Sequence, residues 1–268
     1  MGLTIHYTLK GRGSEINARQ LIHQLHQTAQ DLPFQQLGQV VELSGDECDF
    51  NHRQPDDHLR WLLIQAKESV EVEPKGKNRD RKWRSYYHVI PSQIIAFTAS
   101  PGEGCEESNF GLCLYPKTIR TERGRLKTKL SGWRWSSFCK TQYASDPRCG
   151  GVPNFLRCHL TVIAMLDQAT QLGCLEEVSD ESGFWEQRDL PALVKEVGSW
   201  NEMIAAFGGK LKDLAGNGAV TLEAPITQFP NFEQLEAAGQ NQLPPEIQKL
   251  FTLIERVSAK PSEGLGLY

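Results

Sequence analysis

Long apolar runs are missing from this sequence, and so are the commonest signatures of nucleotide and hydrolase chemistry. No segment approaches the roughly 18 uninterrupted apolar residues that cross a bilayer, so no membrane association is expected. Met1-Gly2-Leu3-Thr4-Ile5-His6 has no basic stretch leading into an apolar one, which argues against a secretory signal. His6 also stands where a myristoylation motif needs Ser or Thr. Asn-x-Ser/Thr sequons are absent. The 7 Cys are odd in number and irregularly spaced between Cys48 and Cys174, a usage that suits free thiols better than a disulfide framework. A cytoplasmic location is the expectation.

The missing motifs narrow the chemistry further. Gly11-Arg12-Gly13 is followed by Ile16 where a dinucleotide fingerprint needs its third glycine. Gly209-Lys210 is followed by Leu211, where a phosphate loop needs a hydroxyl to reach magnesium. There is no Gly-x-Ser-x-Gly elbow, no His-Glu-x-x-His and no Cys-x-x-Cys. Cys105 and Cys113, Cys139 and Cys149, and Cys149 and Cys158 are separated by seven, nine and eight residues, not the short knuckles of structural zinc. The sequence therefore names no metal and no cofactor.

What is present is enough for a packed interior, since 39% of the 268 residues are hydrophobic and 6 Trp and 11 Phe are among them. The net charge of −4 is unevenly spread: residues 75–134 carry 13 Lys/Arg against 5 Asp/Glu. Such a block can steer an anionic partner, or it can be the solvated face of basic hairpins. The acidic remainder makes nucleic acid an unlikely partner.

Alternation over Leu3–Leu9 predicts a strand. Ser14 caps a predicted helix with Ile22, Leu25, Ala29 and Leu32 on one face. Strands are predicted at 40–43, 61–72, 83–90, 94–98 and 111–115, the second and third forming a hairpin around a polar turn at 74–80. Ile119 and Leu126 flank a second hairpin. A helix is predicted from Pro153 to Leu172, a short strand at 175–178, and a helical stretch after Asp189 that Gly198 and Gly208-Gly209 should bend or divide. A terminal amphipathic helix carries Ile247, Leu250, Phe251, Ile254 and Val257.

This order of elements gives an α+β fold: an antiparallel sheet with an early helix, followed by a mainly helical C-terminal lobe. The expected units are a β-rich lobe over 1–145, a helix-strand-helix lobe over 146–216 packed on it, and a Pro-punctuated tail over 217–268.

Three segments attract functional attention. Ser131–Tyr143 mixes aromatic, basic and amide side chains without a clean helical or strand period. Aromatic walls with a few convergent polar groups suit a ligand or partner pocket, so Trp133, Arg134, Trp135, Lys140, Gln142 and Tyr143 are its candidate contacts. The alternative is a joint between lobes whose aromatics fill the interface. Glu103 and Glu106 lie on a Gly-rich loop and are candidates for contacting a ligand or a hard cation. Asp180-Glu181-Ser182-Gly183-Phe184-Trp185 combines acids with an aromatic pair, which turn chemistry and core anchoring explain equally well. Cys139 and His159 form a candidate nucleophile and base.

Ile5-His6-Tyr7-Thr8-Leu9 and Cys158-His159-Leu160-Thr161-Val162 both resemble the hydrophobic-His-x-Thr motif of the two-histidine phosphoesterases. In that family the paired histidines serve as acid and base on a phosphodiester, a role the resemblance would give to His6 and His159. It also implies that both copies lie on strands, whereas the second falls in a predicted helix. The leading expectation is a soluble protein with a pocket around 133–143. A hydrolase using His6 and His159 or Cys139, and a nucleic-acid binder using residues 75–134, are the alternatives.

Overall fold

The computed structural model describes residues 3–72, 85–122, 124–215, 225–239 and 245. The expected turn at 74–80 and the amphipathic segment at 247–257 lie outside the described residues.

Side-chain alternation along the first strand, β1 (Thr4–Gly11), sets the architecture. Ile5, Tyr7 and Leu9 are buried while His6 and Lys10 are exposed, so the strand presents one face to a core and one outward. Helix α1 (Glu15–Gln30) follows, with the Ser14 hydroxyl accepting from the Asn17 amide. Its buried Ala18, Ile22, Leu25 and Ala29 recur at helical spacing. Strands β2 (Gln36–Leu37) and β3 (Val41–Ser44) come next.

Residues 60–72 depart from the expected single strand. They form a short helix, α2 (Arg60–Ala66), and then β4 (Glu68–Val72). Leu62, Leu63 and Ala66 are the buried residues of the helix, one face of it, and a short apolar run of this kind has no period that separates helix from strand. Strand β5 (Ser85–Val89) pairs antiparallel with β4 as a separate ribbon. Then follow β6 (Gln93–Ser100), β7 (Ser108–Leu114), the hairpin β8 (Thr118–Thr121) and β9 (Gly124–Lys127), and β10 (Trp133–Lys140). In the β8–β9 hairpin Ile119 pairs with Leu126 and both are half-buried, while Arg120, Arg125 and Lys127 are exposed.

Helix α3 (Gly151–Gln171) leads into β11 (Leu175–Asp180), and α4 (Phe184–Gln187), α5 (Leu190–Ala215) and α6 (Phe232–Gly239) complete the described elements. Helix α5 runs unbroken through Gly198 and Gly208-Gly209, where a bend was expected. Gly209 serves close packing instead: a Cβ there would collide with the Glu236 carboxylate of α6. Gly239 of α6 lies equally tight against the Glu202 backbone of α5.

The main sheet has strand order β11-β1-β10-β7-β6-β2, with β3 also on β6, and every pairing is antiparallel. The fold is thus α+β, with an antiparallel sheet, an early helix and a helical C-terminal region. The sheet crosses the expected boundary at residue 145, because β11 pairs with β1. A single buried cluster likewise runs from Leu3 through Phe155 and Leu166 to Val197.

Helices α1 and α3 lie on one face of the sheet. There His26 of α1 meets the Phe97 ring edge-on, and Phe97, Phe110 and Tyr7 stack in series. Successive strand residues point to opposite faces, so Thr98 and Asn109 belong to the other side. Asn109 there donates to Gln65 of α2, which places α2 across the sheet from α1.

Candidate ligand-binding groove

Strand β10 occupies the centre of the sheet and alternates strictly: Trp133, Trp135, Ser137 and Cys139 are buried, and Arg134, Ser136, Phe138 and Lys140 are half-buried on the outer face. The segment that seemed aperiodic in sequence is therefore a regular strand. A serine at an inward position and a phenylalanine at an outward one conceal its period.

Both tryptophans are buried in the core, and Trp133 also borders a shallow surface pocket beside Arg19, Glu42 and Gln93. Trp135 donates its indole N–H to the Asn109 carbonyl at 2.8 Å, and Tyr7 donates to the same oxygen at 2.7 Å. Burial pushes the Tyr7 phenol upward, so it remains a donor. Gln142 is buried, accepts from the Leu3 amide and donates to Asn201. Lys140 stands over the Tyr143 ring, 4.7 Å from its centroid. Arg134 faces outward beside Glu68.

The outer face of β10 continues across β1 and β11, because the register sets His6 opposite Phe138 and Ser179, and Thr8 opposite Ser136 and Glu177. These six side chains form the floor of an open groove of about 290 Å³. The His6 ring leans on Phe138 with centroids 5.7 Å apart. It makes no hydrogen bond among the described residues. The Thr8 and Ser136 hydroxyls are 3.4 Å apart, and Ser136 also donates to Glu68 of β4. Hydroxyls, an imidazole, a carboxylate and one aromatic ring thus converge on a shallow site.

A larger cavity, about 390 Å³, lies between β2, β3, β6 and the residues before α2. Within its lining Thr98 donates to Asn109, and the exposed His58 sits 3.7 Å from the Asp57 carboxylate.

His159 is far from the groove in the architecture. It sits on α3, fully buried on the helix side of the sheet, whereas His6 faces outward from the opposite side. The two His-x-Thr segments therefore cannot hold one phosphodiester between them, and the second lies on a helix rather than a strand. Instead His159 Nδ1 pairs with the Thr141 hydroxyl at 3.0 Å, and Nε2 lies 3.3 Å from both Asp180 Oδ2 and the Ser182 hydroxyl. Hydroxyl, imidazole and carboxylate stand in relay order, but Thr141 and His159 are wholly buried and none of the cavities described above reaches them.

Asp180 also accepts from the Ser182 and Trp185 amides at 2.9 and 3.0 Å. Gly183, at φ +71°, turns the chain so that the Phe184 ring packs edge-on to His159. Burial alone would raise the Asp180 carboxyl, but the hydrogen bond and charge of His159, with the amide and hydroxyl hydrogen bonds of Ser182, hold it below its ordinary value. This cluster ties α3 to the end of β11. The turn and the core anchoring expected of 180–185 are both present.

Cys139 is buried and makes no hydrogen bond to His159: its thiol donates to the Glu106 carbonyl at 3.2 Å. Burial, then the nearby Glu106 and Cys158, push that thiol upward, the opposite of what a thiolate nucleophile requires. Glu103 and Glu106 have exposed side chains, and their backbones hold the loop: the Glu103 carbonyl accepts from Asn154, and the Glu106 amide donates to the Lys140 carbonyl. Among the described residues no group of three His, Cys, Asp or Glu side chains is placed to hold a metal ion.

Of the residues that line the groove, Glu177 and Ser179 carried no signal in the sequence, and Thr8 only as part of the first His-x-Thr segment. Only strand pairing across more than a hundred residues brings them beside Ser136 and Phe138. No protein-family model matches the chain, and no curated protein or solved structure matches it either.

Proposed function

We propose that this protein binds a small hydroxylated ring compound, of monosaccharide size, in the groove formed by β1, β10 and β11. The observation that carries this reading is the convergence of Thr8, Ser136, Ser179, Glu177 and His6 around the half-buried Phe138 ring. Hydroxyl groups both donate and accept, so a floor of three of them complements a polyol better than an anion or a cation. Glu177 supplies an acceptor for ligand hydroxyls, and Phe138 offers a flat apolar surface for the C–H face of a ring. A volume of about 290 Å³ fits such a ligand and sits at the small end of ordinary sites. His6, with no hydrogen bond to satisfy elsewhere, is free to take a ligand hydroxyl as partner. The seven free cysteines support a reducing, cytoplasmic setting for this activity.

The test is saturation-transfer NMR of the protein with a panel of monosaccharides, nucleosides and free amino acids. Transfer to a sugar or nucleoside ring that disappears in Phe138→Ala and falls at least several-fold in His6→Ala is the expected result. Transfer that survives both substitutions, or that appears only with amino acids, overturns the reading.

A further inference from the structure

The cavity of about 390 Å³ between α2 and strands β2, β3 and β6 shares no lining residue with the groove. Strand register fills one end of it with polar groups. Gln36 of β2 stands opposite Ser100 of β6, and Ala99 stands opposite Ser108 of β7, so Glu107 comes beside Ser100 on its other flank. Gln36, Ser100 and Glu107 therefore form a row across three chain segments, with cross-strand neighbours about 5 Å apart. All three line the cavity, and none of their side chains makes a hydrogen bond or ion pair among the described residues. Thr98, two residues earlier on the same face, is by contrast bonded to Asn109.

The rest of the wall is largely apolar. Val41 of β3 lies opposite Ala96, four residues before Ser100 along β6 and thus on the same face of the sheet. Leu59 and Leu62 close the space from the start of α2, and Leu62 is buried. The cavity thus joins an apolar wall to a row of unpartnered polar groups, and its volume is that of an ordinary small-ligand site.

We propose that this cavity binds a primary ammonium group carried on an apolar side chain, the chemistry shared by a peptide amino terminus and an amino-acid-derived amine. Charge decides against an anion. Glu107 brings a carboxylate, and among the described lining residues there is no Lys or Arg. His58 stands 3.7 Å from the Asp57 carboxylate, which offsets any charge it takes up. An ammonium has three N–H donors and no acceptor. The Glu107 carboxylate, the Ser100 hydroxyl and the Gln36 amide oxygen are three acceptors in one row, and the bond to the carboxylate is the charge-assisted one. The apolar side chain of the ligand then lies toward Val41, Leu59 and Leu62. A free amino acid is disfavoured, because its own carboxylate would enter beside Glu107 with no cation to meet it.

The full chain is titrated with leucinamide, leucyl-glycyl-glycinamide, N-acetyl-leucinamide and isovalerate, and followed by amide proton–nitrogen NMR. Saturable binding of leucinamide that moves the signals of Gln36 and Ser100, and leaves those of Thr8 and Ser136 in place, is the expected result. The acetylated compound and isovalerate should not bind. Glu107→Gln should weaken leucinamide about ten-fold or more, as the loss of one charge-assisted hydrogen bond requires. Ser100→Ala should weaken it less. Neither side chain has a partner in the fold, so both variants should remain folded. Binding of the tripeptide amide as well identifies a peptide amino terminus as the ligand, and binding of leucinamide alone identifies a free amine. Equal binding of N-acetyl-leucinamide, shifts confined to the groove, unchanged affinity in Glu107→Gln, or no saturation by about 10 mM would overturn the proposal.

Discussion

Replacing Asp180 by Ala should loosen the joint between α3 and β11 more than any single change on the surface. The Asp180 side chain is fully shielded from solvent. It receives the Ser182 amide at 2.9 Å, the Ser182 hydroxyl at 2.8 Å, the Trp185 amide at 3.0 Å and His159 Nε2 at 3.3 Å. Alanine strands all four donors, and each buried donor left unpaired costs about 1–3 kcal/mol. Some will turn toward water, so the loss should resemble the removal of one partner from a buried ion pair, about 3–5 kcal/mol. Against a typical domain stability of about 5–15 kcal/mol this is a large fraction. Asp180→Asn keeps one acceptor oxygen and should cost about 1–3 kcal/mol.

Urea unfolding followed by tryptophan fluorescence measures both. The folded carboxyl lies below its unfolded value, so its contribution is complete above the unfolded pKa of about 3.9 and is lost as pH falls toward the folded one. The gap between wild type and Asp180→Asn should therefore shrink below about pH 4. A cost for Asp180→Ala under about 1 kcal/mol would show that the cluster is incidental to the fold.

Three further outcomes follow from other parts of the molecule. The Asn109 carbonyl has two donors, so Tyr7→Phe and Trp135→Phe should each cost about 1–2 kcal/mol. The double variant should exceed their sum by about 1 kcal/mol, and strict additivity would contradict the shared acceptor. Thiol titration of the denatured, unreduced protein should find all 7 cysteines reactive, and a value of one would require three disulfides the fold does not contain. Oligonucleotide binding through Arg120, Arg125 and Lys127 should be weak and vanish between about 50 and 200 mM salt. Micromolar binding at the higher salt, abolished by alanine at those three positions, would reverse that reading.

The periodic elements were legible in the residues themselves. Ser14 and the spacing of Ile22, Leu25 and Ala29 gave α1, and Pro153 to Leu172 gave α3 within two residues at either end. The strands β6 and β7 and the pairing of Ile119 with Leu126 were equally visible. Local patterns failed where two periods are compatible with one short run, as at 60–72, or where polar residues point inward and aromatic ones outward, as at 133–140. Gly208-Gly209 looked like a helix breaker because nothing in the local sequence announces α6 lying against Gly209.

By itself, then, the sequence determined the class of fold and the elements with strong periodicity, because propensity, capping and hydrophobic period act over a few residues. The tertiary structure alone decided which of those residues meet. Register between β1, β10 and β11 brings Thr8, Ser136 and Glu177 into one groove, and antiparallel packing sends His6 and His159 to opposite faces of the same sheet. Contacts of that kind depend on strand order, and strand order is settled by how the whole apolar surface is buried at once.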